Sequence, residues 1–320
     1  MPLNEKQLIG RIRREAGGLR PRVGVGIGDD CAVLRLPPGH EALVTTDFSL
    51  EGVHFRREWH PAHAVGHRCL ARGLSDIAAM GGTPRAAFLS LALPLALPQS
   101  WVNDFVTGML ALARRYSVPL AGGDTAQSPG GILADIVVLG SVPAGKAILR
   151  SAAKPGDFIY VTGRLGEAMA DLRALEQGKK LRPDVHRKHF YPEPRVAIGQ
   201  LLREKKLASA MIDISDGLST DLSHVCEESN AGAIISADAL PLSVGLGEDA
   251  LQFALHGGDE YELLFTAPQD RRVPKQIGGV AITKIGEMVR GRQMKLMRHD
   301  GSTERLIARG WQHFSSVDSG

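Results

Sequence analysis

Aromatic residues and cysteines are scarce in this chain of 320 residues. Phe, Trp and Tyr together make up 5% of it, which disfavours a surface that binds nucleic acid by stacking bases on aromatic rings. The three cysteines, Cys31, Cys69 and Cys226, lie far apart and form no CxxC pair. This spacing disfavours zinc sites and disulfides, and it is typical of a protein in a reducing compartment.

Long apolar runs and an excess of one charge are also lacking. The most apolar segment, residues 86–98, contains two prolines and is too short to cross a bilayer. The 38 basic and 35 acidic residues give a net charge of +3, so no basic stripe for nucleic acid is expected. Residues 1–17 predict an amphipathic helix capped by Asn4, without the apolar centre of a signal peptide. We therefore expect a cytoplasmic protein with no nucleic-acid or membrane partner.

The hydrophobic pattern predicts a mixed α and β protein with two domains. In the first part, strands are predicted at 42–47, 86–94 and 132–142, and helices at 63–82 and 101–117. Residues 143–157 are rich in Pro, Gly and polar side chains, which is typical of a domain boundary. We place the domains at 1–145 and 146–320. In the second, strands (DFIYVTG, MIDISDG, AGAIIS, HGGDEYELLFT, IGEMV) alternate with helices at 166–178, 194–206 and 221–230.

Most of the aspartates that stand out follow an apolar run or a glycine pair. Any one of them is most simply a turn or cap residue. Seven such sites, with the adjacent Asp29 and Asp30 counted as one, are harder to explain in this way, because strand ends converge on the edge of a sheet where ligands bind. The segments are GIGDD (Asp29, Asp30), VTTD (Asp47), GLSDIAAMGG (Asp76), AGGDT (Asp124), IDISDG (Asp213, Asp216) and HGGDE (Asp259).

Carboxylates with hydroxyl neighbours and no His/Cys cluster are hard oxygen ligands, which suit Mg²⁺ better than zinc or copper. Magnesium is usually completed by substrate phosphates, so the pattern indicates nucleotide chemistry. Asp76 is predicted near the C-terminal end of a helix, where the helix dipole disfavours an anion. Either Arg72, one turn earlier, or a bound cation could neutralise it.

The glycine-rich segments match no standard nucleotide motif. No GxxxxGK[ST] loop and no protein-kinase motif set is found. YVTGRLGEAMA, residues 160–170, reads as a strand, a glycine turn and a helix, but it lacks the GxGxxG spacing of a dinucleotide-binding fold. GVGIGDD and AGGDT could instead bring backbone N–H groups close to a polyphosphate.

Taken in order, the motifs resemble the thiamine-monophosphate kinase family, which belongs with aminoimidazole ribonucleotide synthetase and selenophosphate synthetase. The resemblance covers nearly the whole chain. It implies a two-domain PurM-like fold, with an N-terminal α+β domain whose sheet pairs with its copy in a homodimer and a C-terminal α/β domain. It also implies phosphorylation of thiamine monophosphate to thiamine diphosphate by ATP, with several Mg²⁺ ions. The motifs are GIGDDCAVL, TTDFSLEGVHF, GLSDIAAMGGTPRAAFLSLALP, AGGDT, RSAAKPGDFIYVTGRLGEA, MIDISDGLSTDL, GGDEYELLFT and RGWQHF.

The same resemblance implies roles for individual residues, and the metal-bound Asp47, Asp124 and Asp213 would be central to catalysis. His54 could equally be a packed strand histidine, Trp311 a core residue and Arg150 a surface charge. The implied metal ligands are Asp30, Thr45, Thr46, Asp47, Asp76, Asp124, Asp213 and Asp216; the nucleotide contacts are Gly123, Asp124, Arg150 and Ser215; the substrate contacts are His54, Asp259, Glu260 and Trp311.

The sequence departs from the family pattern in two informative places. The acidic motif reads GGDEYE where the family more often has GGEDYE, so either Asp259 or Glu260 could contact the substrate. Position 106 is Val where a tyrosine near the adenine is common.

Three alternatives stay open at this point: another ATP-dependent synthetase of the same superfamily, a non-catalytic nucleotide- or metal-binding regulator, and an NAD(P)-dependent oxidoreductase. LEGVHF and Trp311 disfavour the first. The full set of carboxylates disfavours the second, and the missing GxGxxG spacing disfavours the third.

Overall fold

The computed structural model describes residues 5–17, 23–25, 27 and 31–314. The chain forms two compact units. The first contains the described residues up to Ala147 together with Arg182–Val196, and the second contains Ile148–Leu181 and the described residues from Ala197 onward. The sequence places the boundary between 145 and 146 and assigns 182–196 to the second domain. In the structure, this segment instead groups with the first unit.

The first part of the chain alternates helices and strands. Its elements are α1 (Glu5–Ala16), β1 (Val23–Val25), β2 (Val33–Leu34), β3 (His40–Leu50), α2 (Ala62–Ala79), β4 (Thr83–Pro94), α3 (Gln99–Arg115), β5 (Leu120–Ser128) and β6 (Leu133–Pro143).

The second part has shorter elements and also contains three 3₁₀ turns. The elements are β7 (Phe158–Thr162), α4 (Glu167–Glu176), α5 (Arg187–Phe190), α6 (Val196–Glu204), β8 (Ala210–Asp213), α7 (Leu218–Glu228), β9 (Gly232–Ser236), α8 (Ala250–His256), β10 (Leu263–Ala267), β11 (Gln276–Ile277), β12 (Val280–Val289), β13 (Met294–Met297) and β14 (Thr303–Arg305).

The first unit is built on a four-stranded sheet in the order β3-β6-β4-β5. Strand β3 pairs with β6 residue for residue over its whole length, and β4 runs parallel to β5. Helix α2 packs on the sheet and on α3. Glycines allow the two helices to approach closely, because a Cβ on Gly66 would lie 1.9 Å from the Phe105 carbonyl oxygen and one on Gly108 would lie 2.0 Å from that of His63.

The other face of this sheet carries exposed apolar side chains. Side chains alternate along a strand, so Thr45 and Asp47 face α2, whereas Val44 and Phe48 point to the opposite side. Val44 is 64% exposed and Phe48 is 53% exposed. Exposed apolar side chains on the open face of a sheet are typical of a surface that another protein covers.

The second unit contains an eight-stranded, mostly antiparallel sheet. The order is β14-β13-β9-β12-β7-β10-β8, with β11 paired to β12. Strands β7, β8 and β9 bury Val161, Ile212 and Ile235 in a core that α7 and α8 complete with Leu222 and Leu255. The predicted mixture of helices and sheets in two domains is therefore confirmed.

Strand β5 is the main element that the sequence pattern does not predict. It runs from Leu120 to Ser128 and includes the AGGDT segment, which has one β-branched residue, Thr125, and none of the aromatic side chains typical of strands. Its pairing with β4 supplies the backbone hydrogen bonds that make this glycine-rich segment extended. Among the helices that the structure describes, none is long and apolar enough to cross a membrane.

Buried polar contacts attach segment 182–196 to the first unit. His67 Nε2 donates a hydrogen bond to the Pro192 carbonyl (2.8 Å), and the Arg68 guanidinium donates one to the His189 carbonyl. The ring nitrogens Nε2 of His60 and His189 lie 3.0 Å apart. These long-range contacts are not encoded in local periodicity, which is why the sequence pattern misses them.

His67 should make the stability of the first unit depend on pH. Burial lowers the pKa of His67 from 6.5 to about 4, so between these values the unfolded chain binds a proton that the folded chain does not. Stability is therefore expected to be highest above pH 6.5 and to decrease by up to about 3 kcal/mol as the pH falls to 4.

Urea unfolding at pH 7 and pH 4.5 checks this expectation. His67→Gln keeps an N–H donor for Pro192 but does not titrate, so its stability should change less between the two pH values. His40→Gln is the control, because His40 is a half-buried histidine of the same unit at the start of β3. An equal pH dependence in wild type and His67→Gln would contradict the account.

Candidate active site

Polar side chains of β3 and α2 form a cluster on the helix side of the first sheet. The Thr45 hydroxyl donates to the carboxylate of Asp76. Arg72 Nη1 donates to Asp47 Oδ1 (3.0 Å) and to the Phe48 carbonyl (3.2 Å). We call Thr45, Asp47, Arg72 and Asp76 the β3 cluster.

The β3 cluster fits a divalent cation. Its possible ligands are carboxylate and hydroxyl oxygens, the donors that Mg²⁺ prefers. Asp76 lies in the last turn of α2, where the helix dipole disfavours a negative charge, and the Thr45 hydroxyl stabilises it there. Arg72 is buried, with 9% of the residue exposed, and its guanidinium supplies positive charge next to Asp47.

The structure does not bring all the predicted first-unit ligands into this cluster. Thr46 points to the opposite face of β3. Asp124 is on β5, and β3 and β5 are the two edge strands of the sheet. Three strand spacings of about 4.8 Å separate them, roughly 14 Å in all. Across the sheet, Asp47 is in register with Gly123, so Asp124, one residue further on, faces the opposite side. Two ligands of one Mg²⁺ ion lie within about 4.2 Å, so this placement does not bring Asp47 and Asp124 of one chain to the same ion.

The expectation that the aspartates end strands or helices is correct for some and wrong for others. Asp213 is the last residue of β8, and Asp76 lies in the last turn of α2. Asp47 and Asp124 lie inside strands, because pairing with β6 and β4 continues past them. Asp30 and its neighbour Asp29 lie outside the described residues.

An apolar cavity of about 630 Å³ adjoins Gly123 and Asp124. Asp124 Oδ1 accepts the N–H of Thr125 (2.8 Å), which orients the carboxylate at the rim. An apolar cavity with a carboxylate at its edge can hold a flat ring joined to a charged group. Its lining includes Ile9 and Ile12 of α1, Phe88, Leu89 and Leu91 of β4, Leu120 and Ala121 of β5, and Cys31.

Gly123 should not tolerate a side chain. Its φ is +149°, and a Cβ there would lie 1.8 Å from the Leu89 carbonyl oxygen of β4. Gly123→Ala must therefore push β5 away from β4, and we expect a loss of at least about 2 kcal/mol in unfolding free energy together with loss of nucleotide binding.

Thermal unfolding with and without nucleotide measures both effects of Gly123→Ala. Gly130→Ala is the matched control, because Gly130 has open space around its Cβ position in the neighbouring turn. A Gly123→Ala variant with the stability and nucleotide response of Gly130→Ala would contradict the assignment.

In the second unit, the turn between β8 and α7 accepts several backbone hydrogen bonds. We call residues 214–217 the ISDG turn. Three of its consecutive carbonyl groups accept N–H groups from the two segments that the sequence assigns to substrate binding. The pairs are Tyr261 to Ile214 (2.8 Å), Asp259 to Ser215 (2.8 Å) and Trp311 to Asp216 (2.9 Å).

A second cluster of possible metal ligands lies beside this turn. Asp216, Asp221 and His224 each place a ligand atom within 4.8 Å of the others. Asp221 Oδ2 also accepts the N–H groups of Asp216 (3.2 Å) and Gly217 (3.0 Å). Burial, together with the negative charges of Asp213 and Asp216, raises the pKa of Asp221 well above its ordinary value.

Asp221 and His224 are absent from the sequence-based set. The signal that could have found them is their spacing in DLSH, because residues three apart lie on one face of a helix. Asp221 is also an acidic side chain in the first turn of α7. A cation would relieve the charge repulsion among the three buried or half-buried carboxylates near the ISDG turn.

The two acidic residues of GGDEYE have different environments. Asp259 has a left-handed backbone, with φ of 59°, and its Oδ1 accepts the Tyr261 hydroxyl at 2.6 Å. Glu260 is 2% exposed, and its Oε1 accepts the N–H of Gly166 (2.6 Å) at the start of α4. Asp259 is therefore more accessible to a ligand than Glu260.

The remaining predicted contacts are accessible side chains. His54 lies in the turn after β3, and its Nδ1 accepts the Leu50 N–H (3.0 Å). Arg150 is exposed, and its carbonyl accepts the Ser229 hydroxyl (2.7 Å). Trp311 is 51% exposed, so it is not a core residue.

Comparison with known proteins places this architecture in a class. Residues 28–142 match the family described as AIR synthase related protein, N-terminal domain, and residues 154–299 match its C-terminal domain. The two units, in this order and with aspartate-bearing strands in each, are those of an AIR synthase-related protein.

Full-length relatives define the family more closely. The thiamine-monophosphate kinase of Salmonella typhimurium is 37% identical over 99% of this chain and 100% of that protein. The crystal structure of thiamine-monophosphate kinase from Stenotrophomonas maltophilia is 38% identical, with a TM-score of 0.82 over 94% of this chain and 98% of that one. AaThiL complexed with AMPPCP and TMP is 31% identical, with a TM-score of 0.78 over 98% and 99%. This chain belongs to the thiamine-monophosphate kinase family.

Proposed function

We propose that this protein transfers the γ-phosphoryl group of ATP to thiamine monophosphate and so forms thiamine diphosphate. The observation that carries the proposal is the full-length similarity to AaThiL, whose structure contains an ATP analogue and TMP. The carboxylates at the corresponding motifs of this chain support it, since the β3 cluster and the cluster beside the ISDG turn both fit cations.

The acceptor, thiamine monophosphate, carries a negatively charged phosphate, so the site must bring two anions together. A phosphate monoester has a second pKa near 6, so at neutral pH its oxygen is mostly deprotonated and needs no general base. An acceptor oxygen forms a bond to the γ-phosphorus while the bond from that phosphorus to the β,γ-bridging oxygen breaks, and ADP leaves with the electron pair. The main barrier is repulsion between the two anions.

Several Mg²⁺ ions, when bound, would screen this repulsion and stabilise charge in the transition state. We propose that carboxylate and threonine residues of both units hold them. The proposed ligands are Asp30, Thr45, Thr46, Asp47, Asp76 and Asp124 in the first unit, and Asp213 and Asp216 in the second.

Other side chains would bind and orient the two substrates. Gly123 and Asp124 border an apolar cavity that suits the adenine of ATP, and Arg150 and Ser215 would contact its phosphates. Trp311 would attract the cationic thiazolium ring through its π face. We assign the acidic contact of the GGDEYE motif to Asp259, because Glu260 is buried against Gly166.

We further propose a homodimer that pairs the open faces of two four-stranded sheets. The exposed Val44 and Phe48 support this arrangement, because pairing would bury them. We propose that in this pair the edge strand β3 of one copy lies along the edge strand β5 of the other, so that a second copy could provide the missing ligand at each site. A cytoplasmic location, and the lack of nucleic-acid and membrane partners, stay predictions.

Two other functions remain as alternatives: a different ATP-dependent synthetase of the superfamily, and a non-catalytic regulator. One assay separates them. The purified protein is given Mg-ATP and thiamine monophosphate, with thiamine and pyridoxal as control acceptors, and products are separated by chromatography. Thiamine diphosphate is expected from thiamine monophosphate alone. ATP binding without any product would favour the regulator.

A further inference from the structure

The segment that carries Trp311 is hydrogen-bonded to the beginning of α7 through consecutive backbone N–H groups. Each of three successive N–H groups finds an acceptor on the ISDG turn or on the first residues of the helix. The pairs are Arg309 N to Ser219 Oγ (3.3 Å), Gly310 N to Thr220 Oγ1 (3.0 Å) and Trp311 N to Asp216 O (2.9 Å). We call residues 309–311 the strap.

Gly310 lies so close to α7 that the strap requires glycine at this position. A Cβ there would lie 2.1 Å from the Asp216 carbonyl oxygen and 2.6 Å from Thr220 Oγ1. A real Cβ cannot occupy this space, and the atoms it meets belong to the ISDG turn and to a buried helix residue. The close approach therefore sets the distance between the strap and the beginning of α7.

The two hydroxyl groups that hold the strap are buried. Ser219 is 0% exposed and Thr220 is 3% exposed. Ser219 Oγ also contacts His256 Nδ1 (2.8 Å), at the end of α8. Because buried hydroxyls have few alternative partners, the contact with Gly310 is a strong constraint on the strap.

The Trp311 ring contacts the C-terminal segment that carries it. The ring makes an edge contact with His313, with centroids 5.6 Å apart, and His313 belongs to the same C-terminal segment. The ring therefore moves with the segment, and its placement on the unit depends on where the strap is anchored.

We propose that Thr220 and Gly310 are positioning residues that hold Trp311 for the acceptor substrate. The inference rests on the proposed function, in which Trp311 contacts the thiazolium ring, and it adds residues that never touch the substrate. Loss of the anchor should weaken binding of thiamine monophosphate and leave the ATP contacts unchanged. It should therefore raise the KM for thiamine monophosphate and leave the KM for ATP and kcat nearly constant.

Steady-state kinetics with both substrates test this. Thr220→Val keeps the shape of the side chain and removes its oxygen; we expect the KM for thiamine monophosphate to rise about tenfold and the KM for ATP to stay within about twofold. Thr220→Ser should restore the wild-type value. Gly310→Ala should have at least the effect of Thr220→Val.

Thr266→Val is the matched control. Thr266 is 1% exposed in the same unit, and its Oγ1 bonds Ser209 and the Ala210 N–H instead of the strap. It should lower stability without changing either KM. The inference is overturned if Thr220→Val leaves both KM values unchanged, raises them equally, or behaves as Thr266→Val does.

A fluorescence measurement separates this inference from the proposed function. In a Trp59→Phe, Trp101→Phe background, Trp311 is the sole tryptophan of the three in the chain. Thr220→Val should shift its emission to the red as the strap loosens, and Thr266→Val should not. Emission that Thr220→Val leaves unchanged overturns the anchoring. A wild-type enzyme that makes no thiamine diphosphate refutes the proposed function and, with it, the substrate role of the strap.

Discussion

Asp47→Asn should lower kcat by about 100- to 1,000-fold, the range expected when one preorganised charge-stabilising group is removed, with a much smaller change in the KM for either substrate. The amide oxygen can still accept the hydrogen bond from Arg72, so the β3 cluster keeps its packing while losing the negative charge. A loss that appears in kcat means that Asp47 acts in the transition state more than in ground-state binding.

Two controls keep this result interpretable. Asp104→Asn removes an exposed carboxylate from α3 in the same unit and should leave kcat unchanged. Thermal unfolding should show that Asp47→Asn remains folded, which matters because Arg72 is buried and depends on a partner. Near-normal turnover in Asp47→Asn would remove Asp47 from the proposed metal set.

A mixture of two inactive variants should recover activity. Asp47→Asn and Asp124→Asn are each expected to be inactive as homodimers. If each site uses Asp47 of one chain and Asp124 of its partner, a mixed dimer keeps one complete site. Random assembly makes about half of the dimers mixed, so the co-expressed pair should reach about a quarter of wild-type activity.

The physical reason is the position of the two carboxylates on opposite edges of one sheet. A site confined to one chain would leave every chain in the mixture defective, and activity would then stay at the level of the single variants. Co-expression of Asp47→Asn with Asp47→Ala is the matched control, since neither chain can supply Asp47. Recovery in that control would show that the assay does not report on shared sites.

The fold was predictable where the chain has strong local patterns. The predicted strand at 42–47 lies within β3, and the predicted helix at 63–82 overlaps α2. The apolar segment at 86–94 lies within β4, which begins three residues earlier. Strand β5 has no such pattern, because glycines and a lone aspartate occupy its centre. It is extended because a neighbouring strand pairs with it, which no local rule contains.

The candidate site was predictable mainly through ordered motifs. Composition and spacing indicate oxygen ligands for magnesium, and the resemblance gives each residue a role. Neither indicates that Thr46 and Asp124 lie apart from the β3 cluster, since this depends on strand alternation and sheet order. Asp221 and His224 were missed because an Asp-x-x-His pair on a helix is common without a metal.

The central claim is transfer of a phosphoryl group from ATP to the phosphate of thiamine monophosphate. Its most direct test uses ATP labelled with ³²P at the γ-phosphate, incubated with the purified protein, Mg²⁺ and thiamine monophosphate. The account predicts that the label appears in the terminal phosphate of thiamine diphosphate, in a one-to-one ratio with ADP. Label recovered as inorganic phosphate, with no labelled diphosphate, would contradict it.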